Sequence, residues 1–304
     1  MPNKEGLTRR DFIKVAVAGA VALGANTACN MLGVSLPSET PFPIASATPS
    51  ETASETPTPS LTPTSTPTET PTVTETPTAT PDLLTPEKIA FLADHSIYHG
   101  KMDQKITIMT YDEGWPPENL QVLLDIYRKY NAKCTFFMTG QGLTASRDLL
   151  PRLVSEGHVL GSHAFTHDEM TAMDNTHLEN QFKRWFDLKN QIIPDYEVKY
   201  FRAPYGSNNL RVRTFAAQYG MRHVGWGAES GGMTNKSIDY VFRDFRNYQN
   251  WNKAIGGVIV VSHTHRPHDV SQAEQILQKW QEMGYQMVTI DEGIEDSDRW
   301  SPRP

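Results

Sequence analysis

The chain has 304 residues, a formal net charge of −7 and two cysteines, Cys29 and Cys134, too few for a disulfide framework. Twelve of its 21 prolines and sixteen of its threonines fall within residues 37–86, a stretch with no Lys or Arg and few large apolar side chains that cannot bury enough surface to fold. All ten histidines and all six tryptophans come after it, in residues 87–304, whose 24 basic and 27 acidic groups form no basic stripe and argue against nucleic acid as a partner.

Residues 1–29 read as an export signal. Arg9 and Arg10 stand just before a weakly apolar run, residues 15–25, which is shorter than the roughly 20 apolar residues a bilayer span requires. Paired arginines ahead of such a run predict the twin-arginine route. Asn26-Thr-Ala-Cys29 is similar to a bacterial lipoprotein cleavage site, with Asn26 where an aliphatic residue is usual, so Cys29 is the expected lipidation site and a membrane contact. Residues 30–86 follow as a disordered Pro/Thr/Ser-rich linker. At about 3.1 Å per residue, fifty such residues extend on the order of 150 Å, enough to carry a domain from a membrane into a cell wall. The expected location is therefore the cell surface, as a lipoprotein, or the medium, as a secreted protein.

Residues 87–304 alternate strand and helix. Residues 106–110 predict a strand and residues 117–130 a helix, with Leu120, Leu123, Leu124 and Tyr127 at i, i+3, i+4 and i+7 behind an N-terminal proline. A buried-type strand over 134–138 makes Cys134 a structural residue. A short helix over 149–156 and a strand over 158–163 come next, then a helix over 177–192 with Phe182, Trp185 and Phe186 inward. Strands over 199–202 and 223–226 flank a helix near 211–219, and 239–251 is a further helix. Residues 258–262 are the most apolar strand. A last helix places Ala273, Ile276, Leu277, Trp280 and Met283 on one face, Gly284 ends it, and residues 286–290 form a final strand. This alternation predicts α/β architecture with a parallel sheet, either a barrel or an open doubly wound sheet. No Gly-rich phosphate loop follows the first strand, so nucleotide binding loses ground.

In both architectures functional residues belong at the C-terminal ends of the strands. Asp112 and Glu113 follow the first strand, His163 and His167 the third, Arg202 and Tyr205 the fourth, and His263 the sixth. Two histidines and a carboxylate are a known donor set for catalytic zinc, and a second carboxylate and a third histidine can serve as base and acid. His263, His265 and His268 also read His-x-His-x-x-His, either a second metal cluster or, more plainly, a solvated loop.

On these residues the domain resembles the polysaccharide deacetylase family, carbohydrate esterase family 4, the chitooligosaccharide deacetylase homology domain. Thr110-Tyr-Asp-Glu-Gly114 is similar to its first motif, usually Thr-Phe-Asp-Asp-Gly, and Ser162-His-Ala-Phe-Thr-His167 to its metal motif. Phe201-Arg-Ala-Pro-Tyr-Gly206 and Gly257-Val-Ile-Val-Val-Ser-His263 are similar to its third and fifth motifs. The resemblance implies a distorted (β/α)7 barrel and a divalent metal, zinc in first place, held by Glu113, His163 and His167. It implies Asp112 as base oriented by Arg202, the Tyr205 backbone N–H as oxyanion donor and His263 as acid. The activity it implies is removal of acetyl groups, N-acetyl before O-acetyl, from an extracellular or cell-wall polysaccharide that is peptidoglycan, chitin-like or xylan-like. Two departures bear on this. Glu113 replaces the usual Asp, and the fourth motif, usually Asp-x-x-Asp-Trp, survives only as Glu229 within Trp226-Gly-Ala-Glu-Ser-Gly-Gly232, which puts the tuning of His263 in question. The alternatives are a carbohydrate-binding protein that has lost turnover and a hydrolase of the same fold acting on a small amide or ester.

Overall fold

The computed structural model describes residues 84–295 except 235, together with all their side chains but that of Met233. The export signal, Cys29 and residues 30–83 of the linker lie outside the described residues, as do 296–304. The elements in chain order are α1 (Pro86–Asp94), β1 (Ile106–Glu113), α2 (Pro117–Lys129), β2 (Thr135–Met138), α3 (Gly140–Ala145), α4 (Leu150–Ser155), β3 (Val159–Ser162), α5 (Asn175–Ile192) and β4 (Tyr200–Phe201). They continue with α6 (Leu210–Gln218), β5 (Arg222–His223), β6 (Ala228–Glu229), α7 (Ile238–Asn252), β7 (Val258–His263), α8 (Pro267–Glu282), β8 (Gln286–Met287) and α9 (Ile290–Gly293).

Every strand pairing is parallel, in the order β5-β4-β3-β2-β1-β7-β6, with β8 joined to the start of β1. The sheet forms an α/β half-barrel, in keeping with the expected distorted (β/α)7 barrel. The segment after α1 bonds to both sides of the strand set. Ile97 N–H donates to the His223 carbonyl at 2.9 Å, and Gly100 N–H to the Gly257 carbonyl at 2.7 Å.

Side-chain alternation along the strands divides the core into two layers. Met109, Tyr111, Phe136, Leu160, Phe201 and Val260 pack outward against the helices, with the buried faces of α2, α5 and α8 opposite them. Ile108, Phe137, Val159, Tyr200, Val224 and Ile259 fill the interior of the half-barrel. Counting on by twos from the inward residues gives Thr110 and Asp112 on β1, Gly161 and then His163 after β3, Arg202 after β4, and Val261 and His263 on β7. The apolar floor therefore carries the polar side chains of Thr110, Asp112, His163, Arg202 and His263 above it, all on the inward face.

Several sequence expectations need correction. Residue 86 belongs to a helix rather than to the linker: Thr85 caps α1 through Lys88 N–H at 3.2 Å, and a proline opens it. α3 has no amphipathic period to announce it. The strand expected over 223–226 shortens to β5, and the chain turns through Gly225 and Gly227 into β6. The last strand stops at Met287 because Thr289 and Glu292 form a capping box that starts α9. Phe186 is half-buried, stacked on Tyr219, whereas Phe182 and Trp185 are buried as expected. Cys134 is buried, its N–H donating to His158 Nδ1 at 3.2 Å.

Candidate active site

β1 runs through both acids, so Asp112 and Glu113 are its last two residues rather than loop residues. Asp112 is 4 % exposed and points inward with Thr110. Its Oδ1 accepts from Arg202 Nη1 at 2.9 Å, and its Oδ2 stands 3.9 Å from His163 Nε2. Arg202 is fully buried and spends its donors on named acceptors. Nη1 also reaches Thr110 Oγ1 at 2.6 Å, Nη2 the Gly225 carbonyl at 3.0 Å and Nε the Val224 carbonyl at 3.3 Å, while Phe137 lies against the guanidinium at 4.3 Å. Burial lowers its pKa, and the charge and hydrogen bond of Asp112 offset that lowering only in part.

Alternation alone would send Glu113 to the face opposite Asp112. Its backbone is left-handed, φ 75°, and its carboxylate Oε1 stands 3.5 Å from His167 Nε2. Thr139 holds this backbone by donating N–H to the Glu113 carbonyl at 3.2 Å, and a Cβ at Gly142 would collide with that same carbonyl. Of the five non-glycine residues with positive φ among the described residues, Asn131 and Lys253 follow helix ends, and the other three are Glu113, Ala164 and Tyr205. The strained backbone thus collects where the polar side chains meet.

His163 is 2 % exposed, and its Nδ1–H donates to the Arg202 carbonyl at 2.8 Å, which leaves Nε2 as the free lone pair. His167 packs edge-on against Tyr205 at 4.5 Å, and burial together with the His163 charge lowers its pKa. One donor atom from each of Glu113, His163 and His167 lies within 4.8 Å of the other two. Burial works against the Glu113 anion, but the His265 hydrogen bond and the surrounding histidines outweigh it and hold its pKa well below the usual value. The residues present therefore fit a divalent cation: a carboxylate kept ionised and two imidazoles with lone pairs available.

His263 ends β7 with its side chain 18 % exposed. Its N–H donates to Asp269 Oδ2 at 2.8 Å, and the same oxygen is the carboxylate nearest its Nδ1, at 3.5 Å. Burial lowers the His263 pKa, but Asp269, Asp112 and Glu113 together raise it above the ordinary value.

The family is decided by sequence and geometry together. Residues 99–224 match the sequence model of the polysaccharide deacetylase family. This stretch is what the chain shares with the polysaccharide deacetylase family. Over 199 residues it is 30 % identical to the bifunctional xylanase/deacetylase of Pseudobutyrivibrio xylanivorans, covering 64 % of this chain and 31 % of that protein. Over 201 residues it is 29 % identical to a peptidoglycan-N-acetylglucosamine deacetylase of Listeria monocytogenes, covering 63 % and 39 %. The chain thus spans less than two fifths of the length of these two relatives. Its fold is shared with a CE4 family pseudoenzyme from Bacillus anthracis, with a TM-score of 0.59 at 22 % identity over 66 % of this chain and 69 % of that one.

Within this polysaccharide deacetylase domain, the structure gathers Asp112, Glu113, His163, His167, Arg202, Tyr205 and His263 into one cluster. Two features differ from the sequence reading. His265 is not part of a solvated loop: its Nδ1 lies 2.9 Å from Glu113 Oε2. Nor do the three histidines of that loop form a second metal cluster among the described residues, since His268 Nε2 bonds to the Lys236 carbonyl. Glu229, the acid surviving from the fourth motif, is exposed and makes no ion pair with His263 among the described residues. Asp269, on the first turn of α8 and 2 % exposed, takes that place instead. A Cβ at Gly232 would collide with the Asp269 carboxylate, so the glycine at the end of the degenerate motif makes room for the replacement acid. An acid in a helix's first turn reads equally well as a partner of the helix dipole, which is why sequence alone passed over Asp269.

Proposed function

We propose that this protein is a metal-dependent hydrolase that removes acetyl groups, N-acetyl before O-acetyl, from an extracellular or cell-wall polysaccharide. The observation that carries this reading is the shared inward face of Asp112, His163, Arg202 and His263 beside the Glu113, His163 and His167 donors. Relatives named as peptidoglycan, chitooligosaccharide and chitin deacetylases support the substrate class. Bound by those three donors, a divalent metal, zinc by the nature of the set, supplies Lewis-acid polarisation of the acetyl carbonyl and makes a nearby water more acidic.

The protein's own residues handle the protons. Arg202 occupies Asp112 Oδ1, which leaves Oδ2 open to accept a proton from the attacking water. The Tyr205 backbone N–H, on a residue of left-handed conformation packed against His167, is the donor assigned to the oxygen anion that develops on the carbonyl. His263 faces Asp269 through Nδ1, so Nε2 is the nitrogen that protonates the leaving amine. Asp269 acts through His263 as a positioning residue. Because base, orienting arginine and acid are all assembled, this reading is favoured over a binding protein without turnover.

The direct test is acetate release from a panel of acetylated glycans by the full chain, before and after chelation. Release that disappears on chelation and returns with zinc is expected. Glycan binding with no release from any substrate would instead support the binding-protein reading. We also propose export by the twin-arginine route with anchoring at Cys29, in which case Cys29→Ser moves the protein from the membrane fraction to the soluble one. Wild-type protein found wholly in the soluble fraction overturns the anchor.

A further inference from the structure

We propose that His265 is a positioning residue for the metal site, fixing the unusual Glu113 so that its longer side chain can act as a ligand; the inference rests on the metal site proposed above. The two oxygens of Glu113 are divided between two tasks. Oε1 faces the donor cluster, 3.5 Å from His167 Nε2, and Oε2 lies 2.9 Å from His265 Nδ1. An ionised carboxylate can only accept, so His265 Nδ1–H is the donor and the ring's protonated nitrogen is assigned to Glu113.

The need for such a partner follows from the side chain. Glutamate carries one methylene and one rotatable bond more than the aspartate usual in the family, and an unrestrained carboxylate would lose rotamer freedom on binding a cation. A hydrogen bond to the second oxygen removes that freedom beforehand. The side chains of Glu113 and His265 are 8 % and 18 % exposed, so water competes weakly for the bond.

His265 is itself held in place. Its ring stacks on Trp115 with centroids 5.3 Å apart and planes 22° from parallel. The neighbouring Thr264 hydroxyl accepts from Gly114 N–H at 2.9 Å and from Trp115 N–H at 3.0 Å. Asn119 Nδ2 donates to the Thr264 carbonyl at 2.7 Å. The loop after β7 is thus stitched to the residues that directly follow Glu113, and an error in His265 position is an error in Glu113 position.

Partners that orient a metal ligand typically change metal affinity by about 10–100-fold. Zinc affinity of the full chain, measured by competition with a chromogenic chelator, should therefore fall about 10–100-fold in His265→Ala. His265→Asn, whose amide N–H can occupy the position of Nδ1, should recover most of that loss. In a Glu113→Asp background the shorter carboxylate no longer reaches the ring, so His265→Ala should change zinc affinity less than about threefold, a small fraction of its effect beside Glu113. The apo variants are compared by thermal melting, which separates a lost contact from a lost fold.

Unchanged zinc affinity in His265→Ala overturns the inference while leaving the metal site standing. An equal loss in both backgrounds also overturns it, because His265 would then act on zinc independently of Glu113. A wild-type chain that binds no zinc overturns the metal site itself, and the inference with it.

Discussion

At the β1–β3–β4 end of the cleft, the polar side chains are placed by strand register, whereas at the β7 end the decisive contact comes from a helix. Asp112, His163 and Arg202 each follow an apolar residue of the interior by a multiple of two, and Arg202 ties the other two together, its guanidinium donating to Asp112 and its carbonyl accepting from the His163 ring. Moving one of them means slipping a whole strand, which would turn its apolar set out of the core. His263 has the same register, but its acid partner comes from outside the strand set. The segment around β6 has lost that acid, and Asp269 on α8 approaches the histidine across Gly232 instead. The comparison teaches that polar groups written into a sheet resist displacement, while a partner reached from a helix can come from elsewhere in the chain. Glu113 sits between the two cases. Its backbone is fixed by β1 and Thr139, but its carboxylate depends on the loop after β7.

The largest effects are expected at the register-fixed end, where the two adjacent acids should separate. Asp112→Asn should retain zinc and lower the rate of acetate release by about 10²–10⁴-fold, the usual contribution of a positioned base. Glu113→Ala should lose zinc, read as metal content after dialysis. The opposite pattern would mean that the base and the ligand are exchanged, and the register assignment would fall with it. Arg202→Met comes next. It leaves the Asp112 carboxylate buried without its cation, and removing one partner of such a pair costs about 3–5 kcal/mol. Urea unfolding monitored at neutral pH should show this loss. A variant as stable as the wild type would mean that Asp112 finds another cation or becomes protonated, and that Arg202 is not what holds this end.

Much of the register-fixed end was legible before the structure. Strands leading to Asp112, His163, Arg202 and His263, all with an apolar residue four positions earlier, already specify one polar layer above one apolar floor. Two-residue strands such as β5 and β6 have no periodicity to read, and α3, with the sequence Gly-Gln-Gly-Leu-Thr-Ala, has no apolar stripe. Other misses left a signal. Thr289-Ile-Asp-Glu292 is a capping-box pattern that marks a helix start inside the expected last strand, and Thr85-Pro-Glu87 marks one at the end of the linker. The contacts of Asp269 and His265 left none. Each depends on how a loop closes in space, and no local spacing records that.

The smallest effects are expected at the β7 end, and they sharpen the comparison by separating the two acids available to His263. Burial lowers the His263 pKa, while the charges of Asp269, Asp112 and Glu113 raise it, with a net upward result. An acid must be protonated to act, so activity should fall as pH rises through this pKa. Asp269→Asn removes one of the raising charges and keeps an oxygen that can accept the His263 N–H, leaving the effect of burial in place. The alkaline limb of kcat/KM should therefore move to lower pH, with the plateau rate little changed where His263 is protonated in both proteins. Glu229→Gln is the matched comparison, since Glu229 makes no ion pair with His263 and its charge is felt by the histidine less than those of Asp269, Asp112 and Glu113. It should move the alkaline limb less than Asp269→Asn does, because the weaker of the two charges on His263 is removed. A shift in Glu229→Gln and none in Asp269→Asn would return the role to the degenerate motif. It would also mean that the β7 end, like the other, is organised by its strands.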